Sequence, residues 1–396
     1  MYERPEGIEN CKIWIDGCFD FAHHGHAGAM LQARQLGKEL YVGVHSDEEI
    51  LHNKGPVVMK LEERMTAVEA CKWSTRAIGG APYVTDPKVM AEYECKYVVH
   101  GDDITTDANG EDCYQTVKDL GLFVVVKRTP NISTTDLVGR MLLMSKSHHF
   151  PQFSGKKFSN GNETLFDSSH LEKFGQYATD PTGLAKGSIV LSYNVGGNGQ
   201  LTQLIAPSES NKKALEEKGI FYVDGGFDLF HPGHIEALRL VAEDATSHGA
   251  KVIVGIHDDH TVNVEKGLNY PIMNIFERSL CVLQCRYVDG VVLGAPYNPT
   301  EEGFLEKLPG SIKRVYHGQE KVEDSQGNDP YAKVKTEGLF HFIGPHKFDD
   351  INTEVIVERV LSNKAAYEAR QKKKGWKAEN EKLLREEELK KHLKSE

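Results

Sequence analysis

One thirteen-residue phrase occurs twice in this chain: Trp14-Ile15-Asp16-Gly17-Cys18-Phe19-Asp20-Phe21-Ala22-His23-His24-Gly25-His26 returns as Tyr222-Val223-Asp224-Gly225-Gly226-Phe227-Asp228-Leu229-Phe230-His231-Pro232-Gly233-His234. A lone H-x-G-H is expected by chance in fewer than about one in ten chains of this composition, so one copy is weak evidence and two in the same longer frame are strong. Further landmarks recur in order: Lys54-Gly55 with Lys266-Gly267, Glu63-Arg64 with Glu277-Arg278, Ala81-Pro82-Tyr83 with Ala295-Pro296-Tyr297, and His100-Gly101 with His317-Gly318. The spacing between equivalents drifts from 208 residues (His23 to His231) to 217 (His100 to His317), as small loop insertions would produce.

A duplication on this scale in 396 residues predicts two domains of one fold rather than a short solenoid repeat. Each copy opens on an apolar, β-branched run (13–15; 220–223), then a glycine turn, a helical pattern (27–36; 235–247) and a second strand (40–45; 251–257). That order predicts an α/β class: two Rossmann-like, doubly wound parallel-sheet domains in tandem, with ligands at the carboxyl ends of the strands. The expected boundaries are a first domain over 1–147, a linker over 148–217, a second domain over 218–371 and a charged helical or disordered tail over 372–396. The linker expectation rests on a segment rich in Ser, Gly, Asn and Lys without sustained periodicity.

Net charge of −11 argues against a nucleic-acid partner, which needs a basic face. No apolar run approaches the roughly 18 residues of a membrane span, and the opening Met1-Tyr2-Glu3-Arg4-Pro5 has no apolar core, so a cytoplasmic chain is expected. Seven cysteines without a C-x-x-C pair are expected to be reduced.

The repeated turn suits phosphate. Helix N-terminal N–H groups favour negative charge, glycine permits close backbone approach, and two imidazoles supply movable donors for the α-phosphate of a nucleotide. An attacking phosphate monoester, its second pKa at about 6, needs no activated side-chain nucleophile. Gly17, Phe19, Asp20, His23 and His26 are therefore candidate site residues. A second cluster, Lys127-Arg128-Thr129-Pro130-Asn131-Ile132-Ser133-Thr134-Thr135-Asp136, reads either as a helix cap or as a grip on further phosphates. Tyr83 offers a ring face, and Asp102 or Asp103 a carboxylate, to an ammonium group.

Together these residues resemble the cytidylyltransferase family, whose signature couples H-x-G-H with an R-T-x-G-I-S-T-T/S-D segment; Arg128 to Asp136 matches it except for Asn131 at the glycine position. The tandem copies and the phrases Val42-Gly43-Val44-His45 and Pro271-Ile272-Met273-Asn274 resemble the branch acting on ethanolamine phosphate. The resemblance implies CTP and phosphoethanolamine giving CDP-ethanolamine and pyrophosphate, in phosphatidylethanolamine synthesis, with Mg²⁺ on the nucleotide. It implies that His23 and His26 stabilise the transferring group, that Lys54 bridges the two substrates, and that Arg128, Ser133 and Thr134 hold the β and γ phosphates. Gly17, Cys18, Phe19 and His100 would also meet the nucleotide, and Asp20, Lys54, Tyr83 and Asp102 the amino alcohol; no metal ligand is assigned to the protein. Phe227, His231, His234 and Lys266 are the second-copy counterparts. There Lys347 stands opposite Arg128 and Asp349 and Asp350 opposite Pro130 and Asn131, so the second copy is expected to bind CTP poorly. A homodimer and peripheral association with the endoplasmic reticulum are further expectations. The competing readings are a cytidylyltransferase for choline phosphate or another phospho-alcohol, and an inactive nucleotide sensor or scaffold. An adenylyltransferase and an aminoacyl-tRNA synthetase, suggested by Met144-Ser145-Lys146-Ser147, fit less well.

Overall fold

The structure is a computed structural model describing residues 4–130, 132–150, 166–193, 199–369 and 372. It divides into two compact units: Met1–Leu142 together with the segment from Glu354 onward, and Leu143–Thr353.

In the first unit the order is β1 (Lys12–Gly17), α1 (His24–Leu36), β2 (Glu39–His45), α2 (Asp47–Asn53), α3 (Leu61–Ala70), β3 (Arg76–Ala81), α4 (Pro87–Glu92), β4 (Cys95–Gly101), α5 (Gln115–Asp119), β5 (Phe123–Val126) and α6 (Thr134–Leu143). Among the described residues the strands form one parallel sheet in the order β3-β2-β1-β4-β5. The reversal of direction between β1 and β4 creates a crevice at their carboxyl ends, where such sheets take ligands. The central strands are buried on both faces, Ile13, Val42, Val44, Val98 and Val99 being fully inaccessible, which is why they read as continuous apolar runs. Local chemistry sets the helix starts: Ser46 accepts the N–H of Glu49 at 3.2 Å, and three acidic residues occupy the first turn of α2.

The second unit contains α7 (Ser168–Tyr177), β6 (Ile189–Tyr193), β7 (Leu201–Ile205), α8 (Glu209–Lys218), β8 (Ile220–Gly225), α9 (Pro232–His248), β9 (Lys251–Ile256), α10 (Asp259–Lys266), α11 (Ile275–Leu283), β10 (Gly290–Leu293), α12 (Phe304–Lys307), β11 (Ile312–His317), α13 (Ala332–Thr336) and β12 (Phe340–Phe342); α14 (Thr353–Ser362) follows. Strands β10-β9-β8-β11-β12 repeat the order of the first sheet, and β6 and β7 extend it beyond β10, β7 antiparallel. The predicted fold class holds for both copies.

Two features differ from the sequence reading. The stretch 148–217 carries α7, β6, β7 and α8, so its described parts are built into the second unit rather than forming a linker. Ile189, Val190 and Leu191 are all buried, so β6 shows no alternation to betray it. The segment from Glu354, which the repeat assigns to the second copy, packs with the first unit. Segments 151–165, 194–198 and 373–396, including most of the expected tail, lie outside the described residues, as does Asn131. All seven cysteines are unpaired thiols.

Candidate active site

A cavity of about 310 Å³ opens in the first unit at the crevice between β1 and β4. Asp16 and Gly17 line it from the end of β1, Cys18, Phe19 and Asp20 from the turn, His23, Gly25 and His26 from the start of α1, and Lys54 from the end of α2. His100 and Gly101 line it from the end of β4, Asp103 from the turn after it, and Arg128, Ser133 and Thr134 from the approach to and start of α6. The structure thus brings eleven of the predicted site residues to the lining of one cavity: Gly17, Cys18, Phe19, Asp20, His23, His26, Lys54, His100, Arg128, Ser133 and Thr134. Tyr83 and Asp102 are not part of the lining; Tyr83 is buried, with Lys54 Nζ 5.7 Å from its ring centre.

The turn between β1 and α1 is strained. Phe19 and Phe21 both take φ of 51°, a left-handed conformation that costs about 1–3 kcal/mol for a bulky residue and collects at functional sites. It delivers His23 as the N-cap of α1, its ring Nδ1 accepting the N–H of Gly25 at 3.1 Å. That acceptor role places the proton of the neutral ring on Nε2. His26, one turn on, stacks on His23 with ring centres 4.0 Å apart, while Phe19 meets its edge at 5.4 Å. A side chain at position 25 would displace its neighbours, since a Cβ there would lie 2.8 Å from Ile132 and 2.9 Å from the His23 ring. Burial drives both imidazoles toward the neutral form: His23 falls well below its ordinary value, with His26 adding to the effect, and His26 falls to about 3, with Lys54 adding. His100 is lowered for the same first reason.

Arg128 is half exposed and its Nη1 donates to Asp103 at 2.9 Å. Gln32 of α1 holds the neighbouring backbone from both sides, accepting the N–H of Lys127 at 3.1 Å and donating to its carbonyl at 2.8 Å. The two hydroxyls predicted to meet phosphate have scaffold partners: Ser133 caps α6, accepting the N–H of Asp136 at 3.1 Å and donating to its carboxylate at 2.6 Å, and Thr134 donates to the Asp20 carbonyl at 2.6 Å. The cap and the site are therefore one structure, with the first-turn N–H groups of α6 beside the cavity. Asp20 has a structural part. Its carboxylate accepts the N–H groups of Val58 at 3.1 Å and Met59 at 2.8 Å. Sequence reasoning missed Asp16, which accepts hydrogen bonds from Trp14, Thr85 and Tyr114 at 2.7–2.9 Å on the cavity floor. Its place in the duplicated phrase was the available signal.

The second unit repeats part of this geometry. Phe227 and Leu229 take φ of 51° and 52°, His231 and His234 stack at 3.7 Å, and Asp228 accepts the N–H groups of Ile272 at 2.6 Å and Met273 at 2.9 Å. Lys266 lies 5.8 Å from the Tyr270 ring centre. The phosphate-facing segment differs. A Cβ on Gly233 would meet the Ile351 carbonyl at 2.4 Å, so backbone closes over the start of α9 where a side chain, Ile132, does so in the first copy. Asp349 is engaged by the backbone N–H of His346 at 3.0 Å, and Lys347 lies 5.4 Å from the Phe348 ring centre. Among the described residues no group of three or more His, Cys, Asp or Glu side chains converges on a metal position.

The family described as cytidylyltransferase-like matches residues 14–140 and 222–377, once per copy. The ethanolamine-phosphate cytidylyltransferase of Mus musculus is 41% identical over 92% of this chain and 89% of its own length. That of Dictyostelium discoideum is 41% identical over 92% of this chain and 94% of its own. Choline-phosphate cytidylyltransferase A of Mus musculus, by contrast, matches at 39% over only 35% of this chain and 37% of its own length. With both copies and nearly the full length aligned, the chain belongs to the cytidylyltransferase-like family, among its ethanolamine-phosphate cytidylyltransferases.

Proposed function

We propose that this chain transfers CMP from CTP to phosphoethanolamine, giving CDP-ethanolamine and pyrophosphate for phosphatidylethanolamine synthesis. The observation that carries the reading is the cavity at the β1–β4 crevice, whose lining combines two stacked imidazoles, driven toward the neutral form by burial, with Lys54, Arg128 and the starts of two helices. The choice of amino alcohol is supported by relatives of that name matching both copies.

In this reading a phosphate oxygen of phosphoethanolamine attacks the α-phosphorus of CTP. The new P–O bond forms as the bond to the β-phosphate oxygen breaks, and pyrophosphate leaves. Charge grows on the α-phosphate oxygens in the transition state, and the Nε2–H of His23, with His26 beside it, donates there. Neutral imidazoles suit the task because they are donors without needing a bulk-water proton. Lys54, which lines the same cavity, would bridge the two phosphates, and Arg128, released from Asp103, would hold the departing pyrophosphate. Mg²⁺ belongs to the proposal as the triphosphate's counter-ion; it would be carried on the nucleotide rather than by a protein metal site. The second unit, lacking an arginine opposite Arg128, is proposed to bind CTP weakly.

Among the described residues no helix is long and apolar enough to cross a membrane. A cytoplasmic location, a dimer and peripheral attachment to the endoplasmic reticulum are carried as parts of the reading, to be checked by fractionation, sedimentation and membrane flotation.

The test is pyrophosphate release from CTP and Mg²⁺ with phosphoethanolamine, phosphocholine and glycerol 3-phosphate in parallel. Phosphoethanolamine is expected to give the highest kcat/KM. Equal rates with phosphocholine would overturn the substrate choice, and silence with all three would overturn the activity in favour of a nucleotide sensor.

A further inference from the structure

The segment 54–60 joins α2 to α3 and carries Lys54 into the cavity. Its start is fixed by helix α2, with Lys54 N–H donating to the Ile50 carbonyl at 2.8 Å. On its cavity side the Asp20 carboxylate holds the N–H groups of Val58 and Met59, both buried. A second hold comes from residues more than 290 positions away. The guanidinium of Arg359, on α14, makes a forked pair with Glu63, Nη1 to Oε2 and Nη2 to Oε1, both at 2.8 Å. The same Nη1 reaches the Val58 carbonyl at 3.3 Å, and the Tyr367 hydroxyl donates to the Val57 carbonyl at 3.0 Å. Glu63 in turn accepts the Lys60 N–H at 2.8 Å, capping α3. Its side chain is 6% exposed and that of Arg359 25%, so the fork is largely screened from water, where planar pairing is most directional.

Residue 58 is thus gripped by both of its backbone polar groups, the N–H by Asp20 of the duplicated turn and the carbonyl by Arg359. Of the side chains named as holding the segment, Asp20 lines the cavity and Glu63, Arg359 and Tyr367 do not. We propose that Arg359 is a positioning residue: it sets the Lys54-bearing segment against the cavity, so that the end of the chain completes the catalytic unit formed by its beginning. In its kinetic consequence the inference rests on the transferase reading above; in its structural consequence it does not.

Two readouts separate these. Hydrogen exchange at the Val58 and Met59 amides of the full chain is expected to speed up about tenfold or more in Arg359→Ala and to stay unchanged in Lys364→Ala, an exposed position on the same stretch. In CTP-dependent pyrophosphate release, Arg359→Ala is expected to lower kcat/KM for phosphoethanolamine about tenfold in the parent background but less than about twofold in a Lys54→Ala background, because both changes act on one element. Arg359→Lys, which keeps the charge and loses the fork, is expected to fall between in both readouts, and it carries the test if the alanine variant does not fold. Unchanged exchange at Val58 and Met59, or the same loss of kcat/KM in both backgrounds, would overturn the proposal. An inactive parent protein would overturn the transferase reading alone, leaving the exchange result to decide the positioning role.

Discussion

The imidazole pair shows how one side chain serves two levels of structure. His23 Nδ1 accepts a helix N–H, which caps α1, fixes the tautomer and leaves Nε2–H as a donor. His26 lies on the same helix face one turn on, and burial lowers it to about 3, which leaves it neutral near pH 7. Replacing a donor aimed at transition-state charge typically costs about 10²–10³ in kcat. His26→Ala is therefore expected to lose about that factor while the CTP dissociation constant, measured by calorimetry, moves less than about threefold. The opposite pattern, with kcat kept and CTP affinity lost, would assign His26 to ground-state binding. At this scale the place of the H-x-G-H histidines and Lys54 in the cavity lining was legible from the duplicated landmarks, and that of Arg128 from the unduplicated segment before the last helix of the first unit. Asp103 was legible only as a partner for an ammonium group, and Gln32 and Asp16 not at all, because each acquires its structural role from a partner brought up by the fold: Arg128 from 25 positions away, Lys127 from 95, and Tyr114 from 98.

Among the elements, the clamp between the turn and the segment joining two helices, α2 to α3 in one copy and α10 to α11 in the other, recurs in both copies. Asp20 receives the N–H groups of Val58 and Met59, and Asp228 those of Ile272 and Met273. Thr134 and Thr353 donate to the carbonyls of the same two aspartates, tying the start of the last helix to the turn. Asp20→Asn keeps the size but leaves a weaker acceptor for two buried N–H groups, each costing about 1–3 kcal/mol if left unsatisfied. The variant is expected to lower the thermal midpoint by several degrees and to raise the KM for phosphoethanolamine through Lys54; an unchanged midpoint would show that the clamp is not a stabilising contact. From sequence, Asp20 is a candidate substrate ligand; the structure keeps it in the cavity lining and adds the clamp, which a carboxylate in a turn motif does not announce because it reads the same whether it faces a ligand or a loop. Strand β6 was hidden for a different reason, since a strand covered on both faces has no period, and the edge strand β7, with no fully buried residue, offers no alternation either.

Across the whole molecule, buried histidines make stability depend on pH. His23, His26, His45 and His100 in the first unit and His231, His234, His257 and His317 in the second are all lowered, burial first among the causes, His26 and His234 to about 3 and His257 to about 4. Above the ordinary value of 6.5 neither folded nor unfolded chain binds these protons; below it the unfolded chain binds them first, so stability falls as pH falls from 6.5 toward 3. Asp224 acts in the opposite direction. Burial raises it from 3.8 to about 7, so across that window the folded chain holds the extra proton and stability declines as pH rises. The thermal midpoint is expected to climb between pH 4.5 and 6.5, and to climb more steeply in Asp224→Asn, where the opposing group is gone; parallel curves would mean that Asp224 is ionised in the folded chain. By itself the sequence determined the duplication, the parallel α/β class, the strand-end location of the site and its anion-binding character, because periodicity, turn residues and repeated motifs are local properties that survive in one dimension. Tertiary structure alone decided which carboxylates face the cavity and which clamp backbone, that 148–217 contributes strands to the second sheet, and that Arg359 braces the segment carrying Lys54. Those outcomes depend on contacts between residues far apart in the chain, and no local pattern encodes which distant group will fill a given hydrogen bond.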